Sequence, residues 1–254
     1  MTTLLYDSTF EGLMTAVFEV FEYKYDVVEI VAQQNYSQEN FFAETHEVIT
    51  DFNKSDRVLK KLEQNLGKQG ISQLMMVYLS ERKDFERLIL SAVRHSIKHP
   101  KQNILQDFGN DDILEISKIC RSVSRERHRM LAFVRFELLQ DEVYFAKIEP
   151  DFNVLPLIRK HFKERYADQK WMIFDLKRHY GIFYDLKEVQ FFTPDSSQLQ
   201  NFRNSEQFHH EEEKKYQKLW QRYFVKTGIP ERKNMKLHIQ WVPKRYWKYL
   251  TEKY

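Results

Sequence analysis

Glu149 and Asp175 are the first residues in this chain whose type and position could do chemistry. Each closes an apolar run, Val143–Ile148 and Trp171–Phe174, of the kind that forms a β-strand. Two carboxylates brought to one sheet edge can share a metal ion or a proton, and general acid–base work requires that both reach one reacting centre. The competing reading is structural. A carboxylate at a strand end caps the next helix or pairs with a nearby arginine such as Arg178.

Other catalytic patterns are weaker. His95 and His99 stand four apart, a spacing that can hold a metal on one helix face, but no third ligand is evident. His209-His210-Glu211-Glu212-Glu213 reads as the charged start of a helix and is not an H-E-x-x-H arrangement. The chain has no P-loop, no G-x-G-x-x-G and no G-x-S-x-G elbow, and its single cysteine rules out the Cys-paired deaminase signature. Cys120 falls among apolar helical positions, where a thiol is core. The residues by themselves imply no metal and no cofactor.

The C-terminal segment carries a more specific signal. From Glu213 to Tyr254 it interleaves 12 Lys and Arg with nine aromatic residues, among them Trp220, Trp241 and Trp247. Cations displace the counterions of nucleic-acid phosphates, and ring faces accept unpaired bases. Pro243-Lys244-Arg245-Tyr246-Trp247-Lys248 offers both within six residues, and Arg232, Lys233 and Asn234 form a basic loop before it. Arg127, His128 and Arg129 make a second basic cluster. Cations near a helix C-terminus also complement its dipole, so phosphate binding and plain helix capping both fit there. In the same way, the C-terminal rings could simply anchor a terminal helix while its cations stay in water.

Elements to position these groups can be read in order. Leu4–Tyr6 suggests a short strand and Ser8-Thr9-Phe10-Glu11 a capping box, followed by a helix burying Phe10, Leu13, Met14, Val17, Phe18 and Phe21. Val27–Ala32 and His46–Thr50 read as strands, and Asp51 or Ser55 as a helix cap. Helical periodicity fills Asp56–His99, broken near Gly67–Gly70, with Leu88, Leu90, Val93 and Ile97 on its second face, and Pro100 ends the run. A further helix runs from Asp111 to about Arg127 with Ile113, Leu114, Ile116, Ile119 and Cys120 inward.

Met130–Leu138 and Val143–Ile148 then read as a hairpin, Glu149-Pro150-Asp151 as the break that caps a helix through Tyr166, and Trp171–Asp175, Ile182–Tyr184 and Val189–Phe192 as further strands. Thr193–Asn204 looks like a linker, Ser205–Lys226 like a helix stopped at Gly228-Ile229-Pro230, and Pro243 like the opening of a last short helix. The expected fold class is α+β: a helix-rich N-terminal region over 1–126, a central antiparallel β-β-α-β-β sheet unit over 127–192, and a helical basic segment over 205–254 packed on the same domain.

Composition sets outer bounds. Across 254 residues, 15% are aromatic and there are only 6 Gly and 6 Pro, which disfavours long flexible arms. The net charge of +3 hides an asymmetry, because residues 1–56 hold 11 acidic and 2 basic side chains. Such a split suits a polyanion-facing C-terminus or docking of the two ends. One cysteine forbids an internal disulfide, and no apolar run approaches the ~18 residues of a membrane span, so a soluble cytoplasmic protein with no membrane partner is expected.

Three blocks, YDSTFEGLMTAVFEVFE, RHRMLAFVRF through IEPDFNVLPLIRKHF to IFDLKRHYGIFYD, and LWQRYFVKTGIPERKNMKLHIQWVPKRYWKYLTE, resemble DUF4130, a bacterial domain family of unknown function linked to DNA repair or DNA metabolism. The resemblance implies a radical SAM protein as partner, since members lie beside one, and some are fused to uracil-DNA glycosylase-like domains. It implies no reaction and no catalytic residue. It does mark Arg127, His128, Arg129, Glu149, Asn153, His161, Arg165, Asp175, Arg178, Glu231, Arg232, Asn234, Lys244 and Arg245 as candidate positions. Members often carry a histidine where this chain has Phe152.

The leading expectation is a DNA-associated accessory protein. One alternative is an enzyme acting on DNA or a nucleotide with Glu149, Asp175 and His128 or His161. The other is a protein-interaction module that does not touch DNA.

Overall fold

The computed structural model describes residues 2–36, 44–100, 102–227 and 234–253. The chain divides into two compact units, Met1–Ser124 and Arg125–Tyr254. It is an α+β protein with one sheet in each unit.

The first unit is built on a parallel sheet of order β2-β1-β3, formed by β1 (Thr2–Tyr6), β2 (Val28–Ala32) and β3 (Glu44–Glu47). Helix α1 (Phe10–Glu22) links β1 to β2 and is buried on most of its circumference. Its cap is Thr9, one residue later than expected, with Thr9 Oγ1 accepting from Gly12 N at 2.9 Å. Phe21 is exposed instead of inward, because it falls past the buried arc that ends at Val20.

Helix α2 (Phe52–Tyr78) is capped by Asp51. Gly67, with φ 70° and ψ 177°, kinks it without ending it, a conformation that glycine adopts without steric cost. Helix α3 (Phe85–Lys98) follows, with Ile97 exposed.

Helix α4 (Asp111–Phe133) starts in the first unit and ends in the second. It runs six residues beyond the expected end, so Met130–Phe133 is helix and not strand. Ile116, Cys120, Val123, Glu126, Met130 and Val134 are buried at intervals of three or four, which extends one helical face where alternation was expected. Leu114 lies off that face and is exposed.

In the second unit β4 is reduced to Glu137–Leu138 and pairs with β5 (Tyr144–Ile148). Helix α5 (Leu155–Arg165) crosses to β6 (Trp171–Asp175), which lies parallel to β5. Strands β7 (Tyr180–Tyr184) and β8 (Val189–Phe192) complete a sheet of order β4-β5-β6-β7-β8. The sheet is therefore mixed, not antiparallel. A helical crossover returns the chain in its original direction, which is what makes β5 and β6 parallel. Asp151 caps nothing here; Val154 is the N-cap of α5 and Pro156 fills its first turn.

Both faces of β6 are covered. Ile158 and Phe162 of α5 are buried, and Phe162 lies edge-on to Trp171 at 6.1 Å. On the opposite face Phe202 from α6 (Leu199–Arg203) stacks on Phe174 at 4.5 Å and also meets Phe145 and Phe192. The stretch expected as a linker is thus pinned to the sheet by its one buried-side ring.

Ser205–Phe208 forms a 3-10 turn, and His209 bridges Leu139, so the helix begins late, as α7 (Glu213–Thr227). Helix α8 (Met235–Trp241) and 3-10 turns at Lys244–Tyr249 and Thr251–Lys253 close the unit. The expected stop at Gly228–Pro230 lies outside the described residues. No described helix is long and apolar enough to cross a membrane.

Candidate nucleic-acid interface

The parallel register sets Ile148 opposite Asp175, so Glu149 and Asp175 leave neighbouring strands at their carboxyl ends. Their side chains nevertheless take separate partners. Asp175 is fully buried, receives Arg178 Nη1 at 2.8 Å, and accepts the backbone N–H groups of Lys177 and Arg178 at 2.9 and 3.2 Å. Burial pushes its carboxyl above the ordinary value, against the pull of Arg178. Glu149 accepts from Lys248 Nζ and from Tyr249 Oη, the latter at 2.7 Å, and the Lys248 bond holds its carboxyl below the ordinary value.

Several of the cations named from sequence are committed beside them. Arg178 also donates to the carbonyls of Pro150 and Asp151, both at 3.1 Å. Arg245 bridges Asp151 Oδ2 at 2.6 Å and Glu126 Oε2 at 3.2 Å, and Arg129 approaches the same Glu126 oxygen at 3.5 Å. Lys248 is on Glu149. The carboxyl ends of β5 and β6 are therefore an ion-pair network that ties the C-terminal turn to the sheet. Its dominant acid, Glu126, was missed by sequence reading. The signal was there: it is a lone carboxylate on the apolar face of α4.

Other candidates serve local structure. Asn234 caps α8 by accepting from Leu237 N at 3.0 Å. Trp247 is half-buried, with its indole N–H on the carbonyl of Val242 at 2.9 Å and Lys244 Nζ 6.0 Å from its ring. Asn153 accepts from Tyr180 Oη. Arg127 has a buried Nε with no partner among the described residues, and His128 is exposed on α4. Glu231, Arg232 and Lys233 lie outside the described residues.

His161 and Arg165, one turn apart on α5, come together elsewhere, on a cavity of about 840 Å³ within the second unit. Phe136, Phe162, Tyr166 and Trp171 supply one set of its rings, and Tyr216 and Trp220 of α7 another. Phe136 meets Tyr166 edge-on at 5.4 Å, and Tyr166 stacks on Phe162 at 6.1 Å. Glu213 is buried at the base of α7, accepting from Leu138 N at 2.8 Å and from Gln217 Nε2 at 3.0 Å. The rings expected to pack α7 inward are instead substantially exposed, Tyr216 at 50% and Tyr223 at 59%.

Tyr216, Trp220 and Tyr223 recur at helical spacing, with Trp220 and Tyr223 stacked at 5.7 Å, and the exposed cations Lys218, Arg222 and Lys226 form a separate stripe turned away from the cavity. The sequence reading counted these residues but could not tell a buried ring from an exposed one.

A second cavity, about 620 Å³, belongs to the first unit and is polar. Of its cations, Arg87 pairs with Asp112 at 2.7 Å, and Arg94 donates to the carbonyls of Tyr25 and Asp26 at 3.2 and 3.4 Å. Among the described residues no three His, Cys, Asp or Glu side chains gather as metal ligands.

A comparison with curated proteins finds no match. The family model for a domain of unknown function, DUF4130, matches residues 83–252, which takes in nearly all of the second unit and leaves the YDSTFEGL block outside; the chain belongs to the DUF4130 family.

Proposed function

We propose that this chain is a nucleic-acid-associated accessory protein of DNA repair or DNA metabolism, working with a radical SAM partner. The observation that carries the DNA part is that α7 exposes both a ring stripe and a cation stripe. Rings accept unstacked bases and cations replace phosphate counterions, and single-strand binding needs the two together. The radical SAM partner rests on the resemblance to the family alone. Fluorescence anisotropy with single- and double-stranded oligonucleotides at low salt tests the reading. Binding whose log affinity falls linearly with log salt supports it, and no binding to either form overturns it.

The exposed apolar side chains of α7 and α8, Leu219, Val225, Leu237 and Trp241, favour a second reading as a protein-docking surface. Co-purification of the partner protein with this chain, undisturbed by nuclease or by salt, distinguishes it. The enzyme reading draws less support, because Glu149 and Asp175 are each held by a cation of their own.

A further inference from the structure

We infer that the aromatic cavity of the second unit takes up one unstacked base of a single-stranded nucleic acid. This rests on the nucleic-acid reading above and assigns it a site.

Three features point to a base. The first is shape and surface. The cavity, at about 840 Å³, falls within the roughly 300–1,000 Å³ of small-molecule sites and is walled by planar rings from α5, β6 and α7, with Phe136 beside them. Ring faces hold any base by stacking, whereas an aliphatic ligand gains nothing from them beyond area.

The second is the polar complement. Gln169 and Gln217 line the cavity, and an amide carries both donor and acceptor, as the edge of a base does. Trp171, 1% exposed, forms part of the wall.

The third is charge and continuity. Arg135 and Arg165 both line the cavity; Arg135 lies 5.6 Å over the Trp220 ring and pairs with Glu252 at 2.8 Å, which leaves Arg165 as the cation for a phosphate. Trp220 and Tyr216 belong at once to the cavity and to the exposed ring stripe of α7, and Trp220 stacks on Tyr223. A strand whose bases stack on Tyr223 and Trp220 therefore passes the cavity mouth.

The experiment uses the full chain and compares two oligonucleotides, one made wholly of abasic residues and one identical but for a single central thymine. In the natural protein the thymine should raise affinity about tenfold, the scale of one stacked base. Ala132→Trp fills the cavity from an exposed position on α4 and should remove that gain. Gln169→Trp, a second filling substitution, should do the same, with circular dichroism confirming the fold of each. Because the gain is a ratio within one variant, changes in backbone affinity cancel.

No gain in the natural protein, or an equal gain in both filled variants, overturns the base site while the nucleic-acid reading stands. Failure of ordinary oligonucleotides to bind overturns that reading by itself. The cavity is then tested with thymidine monophosphate. Quenching of tryptophan fluorescence that Ala132→Trp abolishes supports the base site, and absence of quenching overturns it.

Discussion

The hydroxyl of Tyr246 donates to the buried carboxylate of Glu126 across 120 residues of sequence. The same Glu126 oxygen accepts from Asp151 N at 2.9 Å, and Arg245 closes the group from the other side. Burial, then the neighbouring carboxylate, pushes the Tyr246 hydroxyl above its ordinary value, so it stays protonated and donating at physiological pH. Tyr246→Phe removes the donor but leaves the acid buried, and should cost about 1–3 kcal/mol. Urea denaturation checks this as a lower midpoint with an unchanged slope. Arg245→Ala should also destabilise, whereas Lys244→Ala, whose side chain is exposed, should not.

Asp175 and Arg178 form a buried pair at 2.8 Å. Arg178→Ala leaves a fully buried carboxylate without its cation and should lower stability by about 3–5 kcal/mol. The double replacement Asp175→Asn with Arg178→Met should recover much of that loss. Thermal unfolding of the natural protein and the two variants reads the difference, and equal midpoints for the single and double variants would refute the coupling.

Glu86 lies buried in the first unit with Tyr6 Oη 3.3 Å from its carboxylate. Burial raises its carboxyl from 4.5 to about 7, with Asp84 and Glu29 adding to the rise. The folded state therefore holds this proton more tightly than the unfolded chain does. Its contribution to stability is complete below about pH 4.5 and is lost as pH rises to about 7. A total of a few kcal/mol is expected. Glu86→Gln should flatten this part of the pH–stability curve, as chemical denaturation between those pH values will test.

Lys218, Arg222 and Lys226 should each carry part of the salt dependence of nucleic-acid binding. Replacing all three by Glu should weaken binding to every sequence alike and flatten the salt slope by about 0.7 per lost phosphate contact. Tyr223→Ala should cost about 1–3 kcal/mol of single-strand affinity through lost stacking. Its 59% exposure makes any effect on folding small. Anisotropy titrations at several salt concentrations measure both effects.

Gly181 lies in β7 where a Cβ would stand 2.5 Å from Phe192 Cζ and 2.8 Å from the carbonyl of Ile173. The ring can turn but the carbonyl belongs to the neighbouring strand. Gly181→Ala should therefore lower the unfolding temperature by several degrees, on the scale of about 1–3 kcal/mol for an overpacked site. An unchanged midpoint would mean that β6 and β7 separate more easily than their packing indicates.

The sequence alone determined what depends on neighbours close along the chain. Period and punctuation located β5, β6, β7 and β8, the helix between Pro150 and Tyr166, and the Asp51 cap, because strand alternation, apolar spacing and side-chain capping are local properties. The charge split and the aromatic density of the C-terminus were equally plain.

What tertiary structure decided lies beyond that reach. The RHRMLAF stretch reads as strand or helix by composition, and only the burial of Met130 and Val134 on the face begun by Ile116 made it helix. Parallel pairing of β5 with β6 followed from where α5 returned the chain. Most of all, Arg245 and Lys248 became structural because their acids, Glu126 and Glu149, lie about a hundred residues away. Tyr216, Trp220 and Tyr223, which could equally have anchored the helix or stacked on bases, came to face solvent. Charge and ring counts are written in the chain, but which of them remain available to a partner depends on long-range contacts that no local spacing encodes.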